Sequence, residues 1–204
     1  MELTPEEGRV LGCLVEKQLT TPQQYPLTDN ALLAACNQTT SRDPVVQYDV
    51  AAVRLAVRSL RERGLLRTVH RSGERSDKHR HLLDEALGLD TPQQALLALL
   101  LLRGPQTAAE LRTRSERMHA FASPEDVEAA LASLRDPTDA LVVQLDRQPG
   151  QKGARFAQVL VEGTVPTPAD ADELTALRAE VVSLRAEVES LRAQLADQNR
   201  GGSV

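Results

Sequence analysis

Apolar residues recur at helical spacing in three successive stretches of this chain, then at strand spacing, and the whole succession occurs twice. Val10, Leu11, Leu14 and Val15 share one face behind Thr4-Pro5-Glu6-Glu7, which reads as an N-cap, a proline at the first helical position and a glutamate closing a capping box. Leu96, Leu97, Leu100 and Leu101 repeat that face behind Thr91-Pro92-Gln93-Gln94, with Thr91 as the expected N-cap. Leu99 and Leu102 make this helix apolar nearly all round, as expected of a helix clasped between two domains. A second helix follows in each copy, from Thr28 with Leu32, Leu33 and Cys36 inward, and from Thr107 with Leu111 inward. A third runs from Asp49 through Val53, Val57 and Leu60 to a stop at Gly64, matched by Ser123-Pro124-Glu125 through Val127, Leu131 and Leu134.

The period then changes to that of strands. Residues 65–69 and 79–83 flank the polar loop 71–78, and residues 141–145 and 155–161 flank the loop 146–153. Helix, helix, helix, strand, wing, strand is the order of a winged helix, so the expected fold is mainly α with small hairpin wings, in two tandem winged-helix domains at 1–88 and 89–162. The offset between copies shrinks from 87 (Thr4 to Thr91) to 74 (Val53 to Val127), which places extra residues in the first copy, at 20–26 and 38–49.

Residues 163–171 are a stiff, polar, proline-bearing linker, and 172–198 carry a heptad seam. Leu174, Val181, Val188 and Leu195 take the a positions, and Leu177, Leu184 and Leu191 the d positions. Glu173, Glu180 and Glu187 at g and Arg178, Arg185 and Arg192 at e attract one another only if two copies run parallel, so a parallel homodimer is expected. Residues 199–204 read as a disordered tail.

Composition adds limits. Aromatics are 2% of the 204 residues, so the cores must be built from Leu, Val and Ala. The start, Met1-Glu2-Leu3-Thr4, has neither a basic nor an apolar leader, and the longest apolar run, Ala95 to Leu102, is far short of the roughly 20 residues of a membrane span. A cytoplasmic protein without membrane contact is expected. Cys13 and Cys36 lie far apart without paired spacing, which suggests buried thiols rather than a disulfide or zinc site.

The net charge of -5 argues against a molecule that coats nucleic acid, but charge is unevenly placed. Between Arg54 and Arg80 stand nine Arg or Lys and three acids, a local net of +6. Arg54, Arg58 and Arg61 line the third helix beside its buried stripe, and Arg71, Arg75, Lys78 and Arg80 follow in the wing. In a helix-turn-helix plan that helix enters the major groove of duplex DNA and a basic wing grips the flanking backbone. Against base reading, the helix opens with Asp49-Val50-Ala51-Ala52. The second copy puts Glu125, Asp126 and Glu128 at the same place, which repels phosphate and suits packing or a protein partner.

The block Tyr25-Pro26-Leu27, Asn30, Ala35-Cys36-Asn37-Gln38, Thr40 and Arg42-Asp43-Pro44-Val45 resembles the YceH-like family of bacterial tandem winged-helix proteins. So do Gly12-Cys13-Leu14-Val15-Glu16-Lys17-Gln18 and Leu101-Leu102-Arg103-Gly104-Pro105-Gln106-Thr107. The resemblance spans both copies and implies fold rather than activity. Asn30, Asn37, Gln38, Thr40 and Arg42 are its candidate polar residues, serving either a ligand or the backbone groups of their own loop. His79 and His81 would share a strand face, but no nearby cysteine completes a metal set, and no glycine-rich cradle leads from a strand into a helix. The expectation is a non-enzymatic protein without cofactor or metal, binding DNA as a dimer; the alternative is an adaptor for an unidentified protein.

Overall fold

The computed structural model describes residues 2–70, 76–136, 138–147, 153–165, 180–189 and 192. Helix α1 (Pro5–Thr20) starts at a capping box: Glu7 N–H donates to Thr4 Oγ1 at 3.3 Å and Thr4 N–H donates to Glu7 Oε2 at 2.9 Å. A 3₁₀ turn (Pro22–Gln24) leads to β1 (Leu27–Thr28), α2 (Asp29–Cys36) and α3 (Val50–Glu62), which the Thr28 and Asp49 side chains cap as expected. The hairpin of β2 (Leu66–Val69) and β3 (Lys78–His81) follows, then a short helix α4 (Leu83–Leu87). The order then recurs as α5 (Thr91–Arg103), β4 (Gln106–Thr107), α6 (Ala108–Ser115), α7 (Pro124–Ser133), β5 (Val142–Leu145) and β6 (Arg155–Gln158).

One cap differs from the sequence expectation. Helix α5 is capped by Asp90, not Thr91: Gln93 N–H donates to Asp90 Oδ1 and Asp90 N–H donates to Gln93 Oε1, both at 2.9 Å. Asp90 is the residue three places before Gln93, the spacing a capping box requires, and that leaves Thr91 as the first helical residue.

Each succession ends in a three-stranded antiparallel sheet, ordered β1-β3-β2 and β4-β6-β5. The registers correspond: Leu27 faces His79 and Leu66 faces His81 in one, while Gln106 faces Phe156 and Val142 faces Gln158 in the other. The added strands β1 and β4 are two residues each and sit just before a helix, too short to show any period.

The residues up to Val165 form one compact unit with one continuous apolar core. Val10, Leu11, Leu14 and Val15 of α1 and the whole run Ala95–Leu100 of α5 are buried in it. Each such Leu or Val contributes about 1.5–3 kcal/mol when fully withdrawn from water. The helices touch because α1 carries glycine where α5 presses closest: a Cβ on Gly12 would sit 2.9 Å from Leu102 Cγ. The two ends of the unit are also joined. Leu3 pairs with Val161, Leu3 N–H donating to Leu160 O at 2.7 Å and Glu162 N–H to Leu3 O at 3.3 Å.

Residues 180–189 are helical, with Val181, Leu184 and Val188 exposed by 46%, 52% and 46%. Of the other seam residues, Leu174, Leu177, Leu191 and Leu195 lie outside the described residues, as do the tail and 166–171 of the linker. Among the described residues the protein is mainly helical, and no helix is long and apolar enough to cross a membrane.

Candidate functional site

Helix α3 owes its two faces to spacing. Val53, Ala56, Val57 and Leu60 are buried, which turns Arg54, Leu55, Arg58, Arg61 and Glu62 to solvent. The basic row expected on this helix is exposed, but its first two members are paired with carboxylates. Arg54 Nε donates to Asp29 Oδ2 at 2.7 Å, and Arg58 Nε to Glu62 Oε1 at 2.9 Å. In the hairpin Arg80 pairs with Glu85 at 2.6 Å, and Arg67 approaches the same carboxylate at 3.6 Å. Exposed pairs of this kind hold their partners by well under 1 kcal/mol, so phosphate can displace them. Lys78 is half-buried on β3, while Arg71 and Arg75 lie outside the described residues.

Asp29, at the first position of α2, ties helix to sheet. His79 Nε2 is 2.7 Å from Asp29 Oδ1, and His79 Nδ1 is 3.2 Å from Thr68 Oγ1. Burial alone would raise the Asp29 carboxyl, but the hydrogen bonds and charges of His79 and Arg54 outweigh it and hold the group below the usual carboxylate range. Sequence reasoning missed Asp29 and Glu85 because neither lies in the basic stretch. It also passed over Leu55, 70% exposed between Arg54 and Arg58, although its place outside the Val53-Val57-Leu60 stripe marks it as outward-facing.

The polar block of the sequence gathers around one buried guanidinium. Arg42 donates to both carboxylate oxygens of Glu16 (3.0 and 2.7 Å), to Ala35 O (3.2 and 3.0 Å), to Ser41 O (2.8 Å) and to Gln38 Oε1 (2.8 Å). Its Nη2 also lies 3.5 Å from Cys13 Sγ. Asn37 brackets Tyr48, its amide donating to Tyr48 O and its Oδ1 accepting from Tyr48 N–H, both at 2.8 Å. Asn30 and Thr40 are exposed and stand apart from this network. Arg42, Asn37 and Gln38 thus satisfy the turn between α2 and α3, which carries more residues than its counterpart before α7.

The cysteines correct the sequence picture. Both are buried as expected, and the two thiols lie close enough to share a hydrogen bond. Burial pushes Cys13 up, yet that hydrogen bond and the nearby Arg42 charge leave it below its ordinary value, while Cys36 is driven up. His79 and His81 do share the buried face of β3. Among the described residues no group of His, Cys, Asp and Glu forms a metal site.

A mainly helical unit of two matching successions, each closed by a three-stranded sheet, with basic residues on the third helix and hairpin of the first, is the class of protein this geometry defines. The family described as a protein of unknown function, DUF480, matches residues 3–151. The chain is 49% identical over 159 residues to a UPF0502 protein of Koribacter versatilis, covering 78% of this chain and 74% of the relative. It is 51% identical over 160 residues to a UPF0502 protein of Pelobacter propionicus (78% and 73%), and 45% identical over 167 residues to one of a Shewanella species (80% and 75%). The chain belongs to this DUF480/UPF0502 family of uncharacterised bacterial proteins, in agreement with the YceH-like resemblance of its Cys36-Asn37-Gln38 block.

Proposed function

We propose that this is a non-enzymatic, cytoplasmic protein of two tandem winged-helix domains, 1–88 and 89–162, that binds duplex DNA through α3 and the adjoining hairpin. The observation that carries the reading is the exposed row of Arg54, Arg58 and Arg61, backed by Arg67 and Arg80. A helix of this size fits the major groove, and guanidinium groups on its outer face suit phosphate and guanine edges. Binding should weaken steeply as salt rises, and Arg54→Ala with Arg58→Ala should lower the slope of log K against log salt by up to about 2. Fluorescence anisotropy with a labelled duplex measures both. Salt-independent binding, or none at low salt, would end the proposal.

A second reading has its own support. Leu55 is bare in the middle of the same face and Asp29, Glu62 and Glu85 already balance part of its charge, which suits a protein partner. Leu55→Ala separates the two: it should spare DNA binding and abolish an apolar contact.

The same proposal includes a parallel coiled coil over 172–198 that pairs two copies. Val181, Leu184 and Val188 lack apolar cover in the single chain, and Glu180 and Glu187 stand where a parallel partner presents Arg185 and Arg192. Sedimentation equilibrium should give a dimer, and Leu184→Asp with Leu191→Asp should give monomers in which both winged-helix domains stay folded.

A further inference from the structure

Away from α3, the ends of α1, α5 and α6 and the Gln38–Ser41 turn enclose a recess of about 320 Å³. Four cations line it: Lys17, Arg103, Arg114 and Arg117; Glu16 is its single carboxylate. That carboxylate is already engaged, both of its oxygens accepting from Arg42 and Oε2 also lying 3.3 Å from Lys17 Nζ, so the charge left over in the recess is that of the arginines. Arg114 is held at the wall by Gln106 Oε1 at 2.7 Å and Glu110 at 3.3 Å. Among the described residues, Arg103 and Arg117 have no hydrogen-bond or ion-pair partner. Burial and the neighbouring Arg114 and Arg42 hold Arg103 below its ordinary value, outweighing the opposing charges of Glu16 and Asp43.

The rest of the lining is suited to the same kind of ligand. Gln38 uses its Oε1 to accept from Arg42 and Lys17, which leaves its amide nitrogen as a donor. The hydroxyls of Thr40 and Ser41 stand beside it, and Leu99 and Met118 add a small apolar wall. Donors converging with cations in a concave site recognise phosphate oxygens, and an adjoining apolar surface takes a base or sugar.

The geometry points to a binding site for a small phosphorylated molecule of nucleotide size in this recess, with Arg103, Arg114 and Arg117 neutralising its phosphates. The site is separate from the α3 face and does not depend on DNA binding there. A concave recess of about 320 Å³ suits a compact polyanion better than an extended backbone.

Magnesium-free ADP and inorganic pyrophosphate, titrated calorimetrically into the full chain, test the assignment. ADP should bind saturably in the submillimolar range, pyrophosphate should displace it, and adenosine should not bind. Arg103→Gln with Arg117→Gln should weaken ADP at least about tenfold, a loss of about 1.4 kcal/mol or more. Both side chains lie partly or wholly in solvent, so the variant's thermal unfolding should match the parent. Arg54→Ala with Arg58→Ala should leave ADP binding unchanged. Binding of adenosine, loss of ADP binding in the α3 variant, or no saturation at millimolar ligand would overturn the assignment. So would duplex binding lost in the Arg103/Arg117 variant of a protein that ignores ADP, which would make the recess part of a DNA surface.

Discussion

The two successions share a plan and differ in what they place on it. Helix α3 has 13 residues and shows Arg54, Arg58 and Arg61 to solvent, whereas α7 has 10 and opens with Glu125 and Asp126. Asp126 closes the capping box of Ser123, so its charge serves the helix start and also repels phosphate. The turn before α3 is built around buried Arg42, while Arg114 in the second copy stays partly exposed on Gln106. The sheets part in the same way at matched positions. His81 and Gln158 both end the middle strand, buried, and both accept from the backbone just beyond: His81 Nδ1 from Leu83 N–H at 3.2 Å, Gln158 Oε1 from Leu160 N–H at 2.7 Å and Val161 N–H at 2.9 Å. One scaffold thus supports an N-terminal copy rich in ionisable groups and a C-terminal copy that packs with neutral ones.

Arg42→Met probes the contrast most severely. It leaves the half-buried Glu16 with Lys17 alone and removes the buried donor of the Ala35 and Ser41 carbonyls, and should cost about 3–5 kcal/mol in urea unfolding. Arg114→Met, at a partly exposed guanidinium of the second copy, should cost less than about 1 kcal/mol. Equal losses would show that the Arg42 network adds nothing beyond a surface pair.

Acid should act on the first copy next. Burial pushes the His81 imidazole down to about 4 from 6.5, so the neutral ring is the folded form. The unfolded chain binds the proton first as pH falls, so stability is full above about 6.5 and declines toward 4, by up to about 3 kcal/mol. His81→Gln installs the second copy's solution and should flatten that part of the stability profile. A profile unchanged by the substitution would assign the decline to other groups.

The smallest effect concerns the seam both copies share. Gly12→Ala gains about 1 kcal/mol of helix propensity but drives a methyl into Leu102, an overpacking cost of about 1–3 kcal/mol. A net loss of about 1 kcal/mol is expected by thermal unfolding, and a gain would mean that α1 and α5 slide apart without penalty.

Local signals made much of this fold legible. The caps at Thr4, Thr28, Asp49, Thr107 and Ser123 were readable because a side chain and a backbone N–H three residues on decide them. The hairpins at 66–81 and 142–158 followed from alternation around polar loops. What stayed hidden is non-local. Cys13 and Cys36 meet from two separate helices, and Arg42 reaches Glu16 across 26 positions of sequence. The row of arginines on α3 was readable, but not its partners: Asp29 is a helix-start residue 25 positions before Arg54. The recess under Arg103 was equally invisible, since its walls come from three helices and one turn.

The pairing of Leu3 with Val161 bears on how the chain is made. A ribosome adds about 5–20 residues per second, so Leu3 emerges many seconds before the strand it must join has been synthesised. During that interval the first copy exposes the face of α1 around Gly8 and Gly12, which Leu101 and Leu102 of α5 later cover. Nascent chains halted before Val161 should therefore engage holdase chaperones, and release them only once both ends of the unit have left the exit tunnel.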